Sequence, residues 1–386
     1  MKNLIINNFG TSITDNNITV GADIINPDDS IDRLYFTTNI KYKNEISERA
    51  DTFLIATLFY AMREGLDIYI DGTISDTLIR NIERFQAAWL CWRPDRYRKV
   101  SISAKKIEEG VFNVKGDAIQ TFSGGLDSTF TTFQHMGGKS QQTLTSAVMV
   151  HGFDIPLDSG DVYDAIFRRS IPILAEVHVT LFPLKTNFRE LWHKDLKHWE
   201  DAFATGMVAS MMFFSKNHSY GLIASSEPYN SLLLPWGSNP ITDPLLSSDL
   251  FHVEHDAAEY TRGEKVAMVK DWQNGIDNLR VCWQGNDIRH NCCRCEKCIR
   301  TILNFKSIGA GVPKSFPLDI TYNHILALRG LSEAHLNPMR QIVNEAKKHH
   351  ITDDWLSAVE EMIQINEKDI QSGKVKSGQL PQVLDS

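Results

Sequence analysis

An α/β protein organised around a doubly wound parallel sheet is the fold that this sequence predicts, and two observations carry the prediction. Between about residues 117 and 310, short apolar runs alternate with longer amphipathic segments, and a glycine pair stands where the first run hands over to a helical pattern. Apolar runs of that length suit strands covered on both faces, and regular alternation of strand with helix suits a parallel sheet.

The strand candidates are Ala118 to Phe122, Ala147 to Gly152, Val177 to Pro183, Gly221 to Ser225, Phe251 to Glu254 and Leu279 to Trp283. Helix candidates lie between them at Asp127 to His135, Val162 to Ala175, Trp199 to Phe214 and Gly263 to Trp272. Residues 1–115 read as a small α+β domain, with β-like runs at Leu34 to Thr38 and Ile68 to Ile70 and helical patterns at Asp51 to Arg63 and Thr77 to Leu90. Its last stretch, Cys91 to Lys99, interleaves bases with aromatics. That pattern suits a phosphorylated or nucleic-acid partner, but a solvated loop or an interdomain contact is the commoner meaning of such a run. Residues 116–310 form the predicted parallel-sheet domain. Residues 311–386 form a helical extension, with helices expected at Glu333 to Lys348 and Trp355 to Ile365 and a fraying polar end from Gly373.

At 386 residues the chain exceeds the span of one hydrophobic core. Apolar content of 42% and charged content of 23% are those of a soluble globular protein. No apolar stretch approaches the roughly 20 residues that span a bilayer, and the start is too polar for a signal peptide, so no membrane contact and a cytoplasmic location are expected. A formal charge of -8 disfavours nucleic acid as a partner. Self-association into a homodimer stays open.

Ser123-Gly124-Gly125-Leu126-Asp127-Ser128-Thr129 joins a strand candidate to a helix candidate. There a tight turn aims backbone N–H groups and a helix N-terminus at an anion. The glycines let the backbone approach phosphate oxygens, and the hydroxyls of Ser123, Ser128 and Thr129 can donate to them. Asp127 cannot attract phosphate, and its presence makes sense if Mg²⁺ lies between the two. A plain helix-capping turn is the competing explanation.

Five of the six cysteines crowd into one window, and the run Cys282-x9-Cys292-x2-Cys295-x2-Cys298 offers four thiolates at spacings that wrap one ion. Zn²⁺ satisfied by four sulfurs is the expected occupant, in a closed structural site. Cys293 is the spare thiol and His290 a less favoured substitute ligand. Reduced cysteines in a core are the alternative, and Arg294, Glu296 and Lys297 make the window look too polar for one.

The hexapeptide Ser123 to Ser128 resembles the signature of the PP-loop superfamily, the N-type ATP pyrophosphatases. It is unlike a Walker A loop, which needs Gly-Lys-Ser/Thr. The resemblance implies ATP as substrate, attack on its α-phosphate and departure of pyrophosphate. It also implies that the backbone of Val150, His151 and Gly152 contacts adenine, and that Arg262 and Lys265, in Thr261-Arg262-Gly263-Glu264-Lys265-Val266, hold the leaving pyrophosphate. Loop and cysteine run together are closest in pattern to 7-cyano-7-deazaguanine synthase, that is, QueC-like. The chain departs from that pattern in about 115 additional residues before the loop and in lacking a Tyr-Pro-Asp-Cys-Arg segment. If the strand order is the family's 3-2-1-4-5, ligands sit where the order reverses, between the phosphate loop and the loop after Ser225. In that loop Tyr229 and Trp236 can stack on a planar ligand, Glu227 and Asp243 can accept hydrogen bonds, and Asn230 can do either.

The resemblance implies an ATP-dependent ligase or amidase that adenylates a small-molecule carboxylate and passes it to ammonia or an amine. A deazaguanine-type substrate, or a protein acceptor of the kind implied by QueC-like proteins of antiviral operons, stays open. A tRNA or small-molecule sulfurtransferase and a non-catalytic nucleotide-binding partner protein are the alternatives.

Overall fold

The computed structural model describes residues 3–136, 142–282, 284, 287–375 and 382–383. Its first segment pairs as an antiparallel meander of β1 (Asn3–Thr14), β2 (Asn17–Ile25) and β3 (Ile31–Asn39), in which Leu4 and Ile6 of β1 turn into the core. Helix α1 (Asp51–Glu64) follows and stops at Gly65, which takes the left-handed φ of 67° that a side chain would resist. Strand β4 (Asp67–Ser75) then joins β1 in parallel. Ser75 caps helix α2 (Asp76–Trp92) by accepting from the Leu78 N–H, and β5 (Ile102–Glu108) joins β4 in parallel.

The predicted alternation holds through the next segment. It runs β6 (Asp117–Thr121), α3 (Leu126–His135), β7 (Leu144–His151), α4 (Gly160–Glu176), β8 (Thr180–Thr186), α5 (Phe188–Trp192), α6 (Leu196–Met212), β9 (His218–Ala224), β10 (His252–Asp256), α7 (Arg262–Val269), α8 (Gln273–Asp277) and α9 (Glu296–Lys306). Strands β6 to β10 pair in parallel in the order β10-β9-β6-β7-β8, so the order reverses at β6. Counted along the chain this is 3-2-1-4-5.

Strand β3 lies antiparallel beside β8, so residues 3–108 extend the parallel unit into one ten-stranded, mixed sheet. Both segments feed one core, in which the Phe36 ring stacks on Phe213 with centroids 5.4 Å apart. The stretch from Cys91 to Lys99 makes contacts within the chain: Arg96 and the Tyr97 hydroxyl both reach the buried Asp201 carboxylate on α6, at 2.9 and 2.7 Å.

The Leu279 to Trp283 expectation is corrected over its described residues, where Leu279 to Cys282 form no strand. The Asn291 side chain takes the hydrogen bonds that a neighbouring strand would take. Its Oδ1 accepts from the Val281 and Cys282 N–H groups, and its Nδ2 donates to the Leu279 carbonyl. Trp283 lies outside the described residues, as do 376–381 and 384–386 of the polar end.

The last segment comprises α10 (Tyr322–Leu326), β11 (Leu328–Arg329), α11 (Glu333–Lys348), α12 (Asp354–Gln371) and β12 (Gln382–Val383), which pairs with β11. The apolar faces of α11 and α12 pack with α9 in a second core that includes Ile302, Met339, Trp355 and Met362. Among the described residues no helix is long and apolar enough to cross a membrane.

Candidate functional site

The phosphate-loop candidate leaves β6 and enters α3 as the change of period predicted. Gly124 takes a φ of 76°, and Gly125 is the N-cap of α3. The Ser123 Oγ accepts from the Gly125 N–H at 3.2 Å, the Ser128 hydroxyl donates to the Gly125 carbonyl at 3.1 Å, and the two hydroxyl oxygens lie 3.4 Å apart. Both serines line a cavity of about 720 Å³. The cavity opens at the reversal of strand order, between the loop after β6 and the loop after β9, as expected of an open α/β sheet. Leu126 instead packs with Phe130 and Val266, and Thr129 is buried behind the loop with its N–H on the Gly125 carbonyl.

Asp127 lines the same cavity but is already paired. Arg262, one residue past the Thr261 cap of α7, donates to both of its carboxylate oxygens at 2.7 and 3.3 Å. The Lys265 ammonium lies 3.6 Å away. Burial opposes ionisation of Asp127, but Arg262 and then Lys265 outweigh it and hold the carboxyl at about 2. In this arrangement the partner of Asp127 is the Arg262 guanidinium, which takes one acceptor site on each oxygen. Lys265 stands off the cavity: its ammonium is buried and donates to the Ser225 carbonyl at 2.7 Å, so it props the end of β9 while Arg262 reaches the cavity.

Of the adenine candidates, Val150 lines the cavity. His151 stacks on Tyr163 and bonds the Pro156 carbonyl at 2.9 Å. Gly152 adopts a φ of 113°, and a Cβ there would run into the Thr186 carbonyl, so its glycine serves close packing against β8. Of the substrate candidates, Glu227 and Trp236 line the cavity, and burial raises the pKa of Glu227. Tyr229 and Asn230 are exposed and lie outside it.

Asp243 is corrected to a structural residue. Its buried carboxylate accepts from the Ser238 hydroxyl at 2.7 Å and the Asn239 N–H at 3.1 Å, and bonds His255 at 2.8 Å. Asp243→Ala should therefore lose about 3 kcal/mol of stability. Denaturant titration checks this, and an unchanged unfolding midpoint would contradict it.

The sulfurs of Cys282, Cys292, Cys295 and Cys298 all lie within 4.8 Å of one another, with Cys292 and Cys298 at 3.9 Å and Cys282 and Cys295 at 4.0 Å. Zn–S bonds of about 2.3 Å in a tetrahedron imply sulfur separations of about 3.8 Å, so the group could hold a metal ion such as zinc. The Arg294 and Cys295 N–H groups point at the Cys292 sulfur at 3.4 and 3.3 Å, an arrangement that favours thiolate. Cys293 is the spare: its thiol turns to the Asn291 carbonyl, and burial pushes its pKa up. His290 is exposed and outside the group. The polarity of the window misled in one respect. Cys282, Cys295 and Cys298 are buried in the second core, while Arg294 stays exposed.

Sequence reasoning missed much of the cavity wall. Arg93 ends α2, Arg189 sits with its guanidinium 4.5 Å from the Trp199 ring centroid, and Phe203 joins Trp236 beside them. Arg280 and Arg300 also line the cavity, and His335 reaches it from α11. The Arg-Pro-Asp-Arg run at residues 93–96 was the one local signal. No family model matches the chain, and no curated protein or solved structure shows significant similarity to it.

Proposed function

We propose that this chain is an ATP-dependent ligase of PP-loop type, which adenylates a carboxylate, releases pyrophosphate and passes the acyl group to ammonia or an amine. The observation that carries the reading is convergence: the Ser123 to Ser128 loop, the start of α3, and Arg262 and Arg300 all border one cavity at the reversal of strand order. The Ser123 and Ser128 hydroxyls and the helix N-terminus hold phosphate oxygens. A carboxylate oxygen attacks the α-phosphorus, the bond to the bridging oxygen breaks, and pyrophosphate leaves with its charge offset by the arginines. The amine nitrogen then attacks the acyl carbon, and the bond to AMP breaks. Glu227, which lines the cavity and whose pKa burial raises, takes the proton that nitrogen loses. The aromatic wall of Trp199, Phe203 and Trp236 supports a planar acceptor.

The cysteine group takes no part in this chemistry, since four sulfurs close the coordination shell of a zinc ion. Its place is beneath the cavity wall: Cys295 caps α9, which carries Glu296 and Arg300 into the site. A sulfur relay would need a thiol at the cavity, and no cysteine lines it among the described residues.

The reading is tested by the products. With a carboxylate identified among small molecules retained by the purified protein, turnover should yield AMP and pyrophosphate. Heavy oxygen from the labelled carboxylate should appear in the AMP. ADP as product, or unlabelled AMP, would sink it, and binding without any AMP would make the chain a nucleotide-binding partner protein.

A further inference from the structure

Arg280 lies between α8 and the cysteine turn and is 6% exposed. Its main-chain N–H donates to the Gly124 carbonyl at 2.8 Å, at the turn where the phosphate loop takes its left-handed conformation. Its Nε donates to the Ile288 carbonyl at 3.0 Å, and the side chain lines the cavity. Arg262 is matched by Asp127 and Arg300 by Glu296, whereas the Arg280 Nη2 is buried with no hydrogen-bond partner. A buried guanidinium with an idle donor is costly unless a ligand completes it, and its planar fork matches phosphate oxygens.

The same segment is held from its other side. Asn291, beside Cys292, accepts from the Val281 and Cys282 N–H groups and donates to the Leu279 carbonyl, so it clamps the residues on both sides of Arg280. Only Val281 separates Arg280 from Cys282. The backbone of Arg280 is thus fixed by the phosphate loop at one end and by the cysteine group at the other.

We propose that Arg280 grips the terminal phosphates of the bound nucleotide, and free pyrophosphate after cleavage, and that an ion in the cysteine group keeps it in register with Gly124. This rests on the reading of the cavity as an ATP site. Substituting Arg280 removes the guanidinium and leaves the main-chain bond to Gly124, so the loop keeps its tie.

The experiment is calorimetric titration of the full chain with pyrophosphate and with ATP, in the metal-loaded state and after chelation, with circular dichroism to establish folding. Arg280→Ala should weaken pyrophosphate binding about 10- to 100-fold, and Arg280→Lys should recover part of that. Chelation should weaken the parent at least as much, because it also loosens α9 with Arg300, and should weaken Arg280→Ala by a smaller factor, because the share carried by the arginine is already lost there. Parent-like pyrophosphate binding by folded Arg280→Ala overturns the assignment of Arg280. Equal losses on chelation with and without the arginine overturn the coupling. A loaded parent that binds neither ATP nor pyrophosphate overturns the nucleotide reading itself, and this inference with it.

Discussion

Replacing Cys295 and Cys298 together by serine should abolish metal binding and unseat the C-terminal helices. Elemental analysis should find one zinc per chain in the parent and none in the variant. The reason for a large effect is that Cys295 and Cys298 lie within the core that joins α9 to α11 and α12. Structural zinc is worth about 10–16 kcal/mol in small peptide sites, against roughly 5–15 kcal/mol for the whole stability of a typical domain. The region from about residue 279 onward should therefore become sensitive to protease and lose amide protection. The sheet, whose core draws on residues from β1 to β10, should keep its protection. Undiminished stability of the double variant, or parent protein free of zinc when purified without chelators, would contradict the assignment.

Asp127→Asn should lower ATP turnover by roughly 10²-fold or more while the fold stays intact, the scale seen when a preorganised charge partner is removed from an active site. The amide keeps the shape of the carboxylate but cannot balance Arg262 and Lys265, which then reorient or bind anions indiscriminately. Pyrophosphate release at the parent rate would refute the role of Asp127. The same residue makes an acid-stability prediction. Its folded carboxyl sits at about 2, below the ordinary value of 3.8. The stability it adds, about 2 kcal/mol, is therefore fully present above about pH 4 and lost as the pH falls toward 2. Denaturant titrations at neutral pH and at pH 2 should show this component in the parent and not in Asp127→Asn.

How much was legible depended on the range of the interactions. The handover from β6 to α3 was readable because a change of period coincides with Gly124 and Gly125, and α11 was readable because its apolar face repeats at helical spacing from Glu333 to Lys348. Strands β1, β2 and β5 were not anticipated, since their many Asn, Thr, Asp and Lys residues weaken the apolar alternation. The apolar run from Leu279 looked like a strand, but one side chain, Asn291, took up its hydrogen bonds. Asp243 looked free for a ligand because its partner His255 comes from the next strand.

By itself, then, the sequence determined the alternation of strand and helix from residue 117, the strand-to-helix turn that carries Ser123 and Ser128, and the quartet of cysteines. Each is set by residues within a few turns of chain, where spacing alone restricts geometry. Tertiary structure alone decided that Asp127 meets an arginine 135 residues away, that Arg280 is pinned to Gly124 with an unpartnered nitrogen, and that Arg93 and Arg189 reach the same cavity. The physical reason is the strand order. By setting β9 beside β6 and adding β3 at the β8 edge, the sheet brings distant segments to one crevice, and there burial and charge act on side chains whose pairing no local pattern records.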